Sequence, residues 1–338
     1  MRSGGGKRED VPQLELTPET DPCPACGHQG AQVLFQGTDR LYQTTDKRFQ
    51  VIECDACRLM RLFPWPEPSE LWHYYPKDYW FVPEQDTASR LEEMYRRFVL
   101  RDHVRFVTAA MRHAVGESGR QAGVMDVGCG GGLFLRMLAE RGHAVLGLDF
   151  SLGAASVAWR QNGVPAVCGM LSHAPLPAGL FDTITMFHVL EHLYDPVAYL
   201  ESAHSLLRPE GRLVVQVPNA GCWQFLLLGD LWSGVDIPRH LINFRLRDLE
   251  ILLDRCGFEI VRTKYFSLRD NPAGLATSLA PWLDPMARRI RQARESPRMR
   301  LWKDILYLGL VAASVPFALL EAACHAGSTV MVEARKKA

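Results

Sequence analysis

The chain has 338 residues, 47% of them hydrophobic and 22% charged, with 38 Lys+Arg against 38 Asp+Glu. That composition supports one sizeable core plus a small accessory module and excludes a largely disordered chain. The balanced charge excludes a general electrostatic attraction for nucleic acid, leaving only local patches open to that role.

Residues 1–20, rich in Gly, Pro and charge, read as a disordered tail, and Met1 to Leu16 holds no apolar stretch of the kind a secretory signal needs. The expected compartment is the cytoplasm. Nine cysteines agree with a reducing setting, because four form two C-x-x-C pairs and the other five are scattered among apparent core elements. Residues 21–62 form the first module. Cys23 and Cys26 are followed, after 27 residues containing the β-favouring stretches 32–35 and 48–52, by Cys54 and Cys57. Two such knuckles bring four thiolates into the tetrahedron that zinc prefers, so a structural zinc ribbon is expected. Thioredoxin-type chemistry would need a single C-x-x-C opening a helix in a βαβ unit, a context missing here.

Residues 63–118 serve as an aromatic linker and a helical cover. The Pro- and aromatic-rich stretch 62–81 straps the ribbon onto the larger core; Tyr74, Tyr75, Tyr79 and Trp80 are either packing residues or a wall over a substrate. Between 87 and 115, Leu91, Met94, Tyr95, Phe98, Val99, Val104, Phe106 and Val107 recur at helical spacing, which predicts a helix lying on one face of a sheet.

Residues 119–266 alternate apolar runs with amphipathic segments, the mark of a doubly wound α/β core. Strands are expected near 123–128, 144–150, 165–169, 181–188, 211–218 and 258–266, with Ser151 capping one helix. The first strand ends in Asp126-Val127-Gly128-Cys129-Gly130-Gly131-Gly132, and the second in Asp149, 21 residues beyond Gly128. Glycines let a backbone approach a ligand closely, and an acid at that distance suits ribose hydroxyls. A pyrophosphate site wants G-x-G-x-x-G, whereas an anionic Asp126 suits a cationic ligand. Segment 267–327 is not needed by a minimal fold: it is Arg-rich at 288–303, then apolar from Ile305 to Leu320, and 328–338 returns as the last strand and tail. The apolar run has roughly sixteen residues, short of the roughly twenty of a membrane span, so a helical lid or dimer surface is expected, with contact to a membrane surface through 288–320 as the alternative.

The stretch 126–132 resembles motif I of class I S-adenosylmethionine (SAM) methyltransferases. Residues 181–196 resemble that family's fourth-strand motif, 207–219 its L-K-P-G-G turn and fifth strand, and Pro238 to Phe244 with Cys256-Gly257-Phe258 a subgroup of small-molecule and sugar methyltransferases. The pattern C-x-x-C-x-L at 54–59, P-x-P at 64–66 and Y-Y-P-x-x-Y at 74–79 is similar, more loosely, to the N-terminal part of some sugar-modifying C-methyltransferases, whose large C-terminal extra domain is not recognisable here. The resemblance implies a Rossmann-like seven-stranded sheet with an antiparallel last strand. It also implies SAM contacts at Asp126, Gly128, Cys129, Gly130, Asp149, Phe150, Phe187 and His188. Where the family often has Gly-Asp after the third strand, this chain has Gly169-Met170, so backbone groups at Met170 and Leu171 are expected to hold the adenine instead.

His188-Val-Leu-Glu191-His192 also spells the inverted zinc-protease motif, but a protease needs both histidines on one continuous helix, and here His188 ends an apolar strand. In the methyltransferase register, His192 faces the acceptor. Methyl transfer to a hydroxyl is an in-line displacement that needs a proton acceptor, and imidazole suits that task. His192 and His240 are the two base candidates, each set against the commoner role of orienting a loop. The function expected is methyl transfer to a small molecule or sugar-bearing metabolite, with oxygen slightly favoured over carbon or nitrogen. The alternatives are a nucleic-acid methyltransferase using the ribbon as reader, disfavoured by charge, and a non-catalytic SAM-binding scaffold. The acceptor and the oligomeric state are not written in the sequence.

Overall fold

A computed structural model describes residues 22–75, 87–116 and 121–337, with side chains of the long cover helix from residue 93 onward. The 1–20 tail, Tyr79, Trp80 and the Leu91 side chain lie outside the described residues. In chain order the regular elements are β1 (Ala31–Gly37), β2 (Phe49–Cys54), β3 (Met60–Phe63), α1 (Leu71–Tyr74), α2 (Thr87–Val115), β4 (Gly123–Val127), α3 (Leu133–Ala139), β5 (Ala144–Asp149), α4 (Leu152–Arg160), β6 (Ala166–Cys168), β7 (Phe181–Phe187), α5 (Pro196–Leu206), β8 (Leu207–Pro218), α6 (Trp223–Leu228), β9 (Ile242–Asn243), α7 (Leu246–Arg255), β10 (Phe258–Lys264), α8 (Asn271–Leu279), α9 (Pro285–Ile290), α10 (Pro297–Ala323) and β11 (Thr329–Lys336).

Seven strands form one sheet in the order β10-β11-β8-β7-β4-β5-β6. The β4, β5, β6, β7 and β8 neighbours are parallel, and β11 runs antiparallel between β8 and β10. Chain order reverses around β4, with β5 and β6 laid on one side and β7 and β8 on the other. The crevice beyond the carboxyl ends of such strands is where open α/β sheets hold ligands. The central strand β7 is buried along nearly its whole length, its Asp182, Thr183 and Thr185 included.

The cover helix α2 packs on β7, β8 and α3, burying Val99, Val104, Phe106, Val107, Ala110 and Met111. Met94, Tyr95 and Phe98, expected on that buried face, are exposed. They lie in the first turns of a 29-residue helix about 43 Å long, ahead of the stretch from Val99 onward that is buried. Ser151 caps α4 by accepting the Ala154 N–H at 3.3 Å, as its sequence position suggested. β8 begins at Leu207, four residues before the expected start, because the Leu-Arg-Pro-Glu-Gly segment stays extended.

The ribbon is not a free-standing module. Its sheet runs β1-β2-β3-β9, and β9 comes from the core, with Arg61 opposite Ile242 and Met60 opposite Asn243. A buried guanidinium fastens the same seam. Arg239 donates to both Asp39 carboxylate oxygens (3.0 and 2.8 Å) and to both of Asp236 (3.0 and 2.7 Å), and lies over the Tyr42 ring at 4.4 Å. Its side chain is wholly inaccessible to solvent. Burial alone would push the Asp39 carboxyl up, but the Arg239 contacts outweigh it and hold the carboxyl below its usual range.

Removing one partner of a buried ion pair exposes the other to an uncompensated desolvation cost. Asp39→Ala should therefore destabilise the protein by about 3 kcal/mol, read from denaturant unfolding, whereas Glu70→Ala, whose exposed pair with Lys47 spans 3.4 Å, should shift stability by less than about 1 kcal/mol. Equal effects would remove the seam from its structural role.

Candidate active site and cysteine cluster

The four cysteine sulfurs sit together. Cys23 Sγ lies 3.6 Å from Cys57 Sγ, and Cys26 Sγ 3.7 Å from Cys54 Sγ; all four thiols are free, and all four sulfurs fall within 4.8 Å of one another. Four sulfurs arranged around zinc at about 2.3 Å stand about 3.8 Å apart, so the donor set fits that ion. Each knuckle closes on a positive-φ residue, Gly27 after the first pair and Arg58 after the second. For Cys54, burial opposes ionisation, but the Cys57 and Ala56 amides prevail and draw the thiol down to about 7.

At the carboxyl edge, the β4–α3 turn is built on Gly128, Gly130 and Gly132, all at positive φ. A Cβ on Gly132 would lie 2.8 Å from Ala158 Cβ, so that position is set by helix packing. Gly130 is different: its Cβ would meet nothing within 4 Å. That open backbone face, beside the β5 carboxylate and the exposed side chains of Phe150 and Met170, is a fitting cradle for SAM.

Asp149 accepts the Gly130 N–H at 2.9 Å and the Ser151 N–H at 2.8 Å. It therefore clamps the turn as well as standing where the ribose acid is expected. Asp126 is buried and accepts from Thr185 Oγ1 at 2.6 Å. Burial pushes it up to about 7, so the full anion expected from the sequence is instead near its midpoint at neutral pH. Cys129, expected as a SAM contact, is committed to the turn itself. Its thiol packs against Gly147, its N–H is given to the Leu148 carbonyl and its C=O takes the Gly132 N–H, because the turn must be closed on the sheet. Leu171 turns its side chain into the core, leaving only backbone for a ligand, while Met170 is half exposed.

Beyond β7 the chain reaches His188 at φ 55° and then a single 3-10 turn, Leu190–His192, so the H-x-x-E-H letters form no continuous helix. Phe187 stands edge-on to Phe134 at 5.2 Å and to His103 at 5.1 Å. His188 Nδ1 lies 3.2 Å from Glu191 Oε1, and its Nε2 is 2.8 Å from the Gln216 amide and 3.6 Å from Asp270. Burial would lower this imidazole, but Asp270 and Glu191 outweigh it and raise it to about 9, so His188 is a cation at neutral pH and a poor base.

His192 and His240 come together from distant segments, ring centroids 4.6 Å apart. His192 Nδ1 is 2.9 Å from the Arg239 carbonyl and 3.0 Å from the Tyr75 hydroxyl, and His240 Nδ1 is 2.8 Å from the Gly234 carbonyl. A nitrogen facing a carbonyl carries the hydrogen, which leaves Nε2 of each neutral ring as the basic atom. Burial, then the neighbouring His240, draws His192 down to about 4. Glu191 joins them: one oxygen of its buried carboxylate has no hydrogen-bond partner, and the three residues' donor atoms lie within 4.8 Å, a set that could also hold a cation. Tyr75 spans the cleft, its ring 6.2 Å from both Phe150 and His192.

Several members were not singled out from the sequence. Asp270 belongs to the inserted segment, and only the fold carries it to Gln216 (2.8 Å) and His188. Arg239 had a visible signal, a cation three residues from Asp236 and flanked by Ile237, Pro238, Leu241 and Ile242, a setting that would need buried partners. Two concavities of about 460 and 380 Å³ open at the other end of the strands, near Arg141 and Ala144, away from these groups.

A family model described as a methyltransferase domain matches residues 94–263, just over half of the chain. The ubiquinone biosynthesis O-methyltransferase of Azotobacter vinelandii is 33% identical over 136 residues, covering 36% of this chain and 56% of that protein. The protein of the same name from Pseudomonas paraeruginosa is 29% identical over 130 residues, with the same coverages of 36% and 56%. The chain thus spans about half the length of the curated relatives it matches. A solved SAM-dependent methyltransferase from Archaeoglobus fulgidus aligns over 74% of this chain and 100% of its own, at 17% identity and a TM-score of 0.46.

Gly130→Ala tests the cradle. A left-handed alanine costs about 1–2 kcal/mol, and the added methyl would occupy the open face above the turn. SAM affinity by calorimetry should fall by about tenfold or more while the fold, read by circular dichroism, is retained. Unchanged affinity would place the cofactor elsewhere.

Proposed function

The chain belongs to the methyltransferase-domain family as a class I SAM-dependent methyltransferase, and on that premise we propose that it methylates an oxygen of a small-molecule or sugar-bearing acceptor lodged beside His192 and His240. The observation that carries this is the paired imidazoles, each with Nδ1 committed to a backbone carbonyl and Nε2 left to accept a proton. The names of the two bacterial relatives, both O-methyltransferases of ubiquinone biosynthesis, support oxygen as the acceptor atom.

SAM, when bound, supplies a methyl group made electrophilic by its sulfonium. The glycine turn and Asp149 hold the cofactor, Phe150 and Met170 flank it, and Tyr75 limits water over the cleft. An acceptor hydroxyl gives its proton to Nε2 of His240 or His192 as the new bond forms; burial makes His192 a weak base in the free protein, so it serves only where Glu191 offsets that burial by steadying its imidazolium. Glu191 stays ionised despite burial, chiefly through its hydrogen bond to His188, and it steadies the imidazolium that results. In the ribbon, Cys23, Cys26, Cys54 and Cys57 bind one structural zinc ion. A cytoplasmic enzyme fits nine cysteines, none of them in a disulfide.

With an acceptor found by screening phenols and sugars for conversion of SAM to S-adenosylhomocysteine, His192→Ala or His240→Ala should lower kcat by about 10²-fold while SAM affinity is kept. Near-normal turnover in both variants would mean that positioning alone drives transfer. Elemental analysis of purified protein should find about one zinc per chain, lost in Cys54→Ser together with ordered folding of 22–63. Metal-free protein with an intact ribbon would overturn the zinc assignment.

A further inference from the structure

Helix α10 is built inside out. At helical spacing, Asp304, Tyr307, Ser314 and Glu321 face the protein. Asp304 pairs with Arg288, Tyr307 meets Thr277 Oγ1 at 2.9 Å, and Glu321 accepts from the Gln224 N–H and side-chain amide at 2.9 Å each. The opposite face carries Leu301, Trp302, Ile305, Leu308, Leu319 and Leu320, each between 49% and 64% exposed. A helix packed as a soluble cover shows the reverse arrangement. Its most apolar window has a mean hydropathy of 1.9 and is only 22% buried, so the helix is seated through a narrow stripe in which Ala318 joins the polar groups, with most of its large apolar side chains turned away from the protein. Leu226 and Leu227 of α6, 80% and 69% exposed, extend the surface where Trp223 meets Phe317 at 6.3 Å.

Charge identifies the occupant. Arg294, Arg298 and Arg300 are exposed at the start of α10 and form no ion pair among the described residues. Cations at a helix N-terminus oppose the helix dipole, a local cost that an external anionic partner offsets. A wide apolar face with Trp and Leu, edged by arginines, is complementary to the headgroup and acyl boundary of an anionic bilayer.

We infer that α10 and α6 form a monotopic docking surface, which seats this methyltransferase on anionic membranes with α10 lying in the plane of the interface. At 27 residues the helix is long enough to cross, about 40 Å. Crossing is excluded by its anchorage, because Tyr307 is tied to α8 and Glu321 to α6, and β11 returns directly to the central sheet. Docking goes beyond the methyl-transfer reading and stands independently of it. It does bring the site's rim to the bilayer, since Asp270, the partner of Gln216, immediately precedes α8, on which α10 packs.

The test is flotation of the full chain with vesicles of phosphatidylcholine alone or mixed with phosphatidylglycerol, at low and physiological salt. Binding to the anionic vesicles is expected, weaker with phosphatidylcholine alone and reduced by salt. Arg294→Glu, Arg298→Glu and Arg300→Glu together should lower it by about a hundredfold. Leu301→Glu, Ile305→Glu and Leu308→Glu together should abolish it while circular dichroism and SAM affinity match the parent, since these side chains point outward. No flotation of the parent, or flotation undiminished in the glutamate variants, overturns the proposal. So does a dimer in light scattering that the leucine-face variant dissociates without any vesicle binding, because the face would then meet a second copy.

Discussion

One buried guanidinium holds the two halves of this molecule and its candidate chemistry in register. Arg239 satisfies Asp39 from the ribbon side and Asp236 from the core side, takes the Tyr74 carbonyl at 3.3 Å, and offers its own carbonyl to His192. A fully desolvated cation survives only where its donors are nearly all matched. That requirement dictates where the 236–240 turn must sit, and His240 is the next residue along. The separation of the two histidine rings is therefore inherited from an ion network rather than from the sheet alone.

The carboxyl edge shows a second economy of polar groups. Asp149 commits lone pairs to the Gly130 and Ser151 amides, so the residue placed to recognise a ribose also shapes the turn that approaches it. His188, Gln216 and Asp270 form a separate polar knot under the β7 end, with His103 behind Phe187. Asp270 and Glu191 hold His188 above the ordinary imidazole range, whereas burial draws His192 below it. Neighbouring histidines thus differ in protonation through their partners.

The inserted segment is joined to that knot by its first residues and to the apolar exterior by its last helix. Its buried contacts mix polar groups with apolar ones such as Ala276, Ala287, Ile290 and Ala318, so its seating draws on hydrogen bonds as well as on modest hydrophobic burial. Its position on the core is held by satisfied hydrogen bonds such as Arg291 to the Leu41 carbonyl at 2.8 Å and the Gln224 amide to Glu321 at 2.9 Å. The surface so exposed exceeds what scattered exposed leucines would produce and marks an interaction face.

Local patterns determined much of this protein in the sequence itself. The alternation of apolar runs and amphipathic segments, the glycine turn after Asp126, the carboxylate at Asp149 and the paired C-x-x-C spacing are short-range features whose geometry follows from neighbouring residues, and strands and turns stand where those features put them. The tertiary structure decided what depends on meetings between distant segments. Joining β3 to β9, pairing Arg239 with Asp39 across 200 positions, carrying Asp270 to His188 and setting His192 against His240 are products of topology that no local spacing encodes. The helix over 297–323 shows the same division: hydropathy made it a helix of apolar composition, but which face turns outward was settled by partners at Thr277, Arg288 and Gln224 that bond its few polar groups. A buried polar group must find its partner wherever the fold supplies one, so the polar stripe went inward and the leucines were left to the outside.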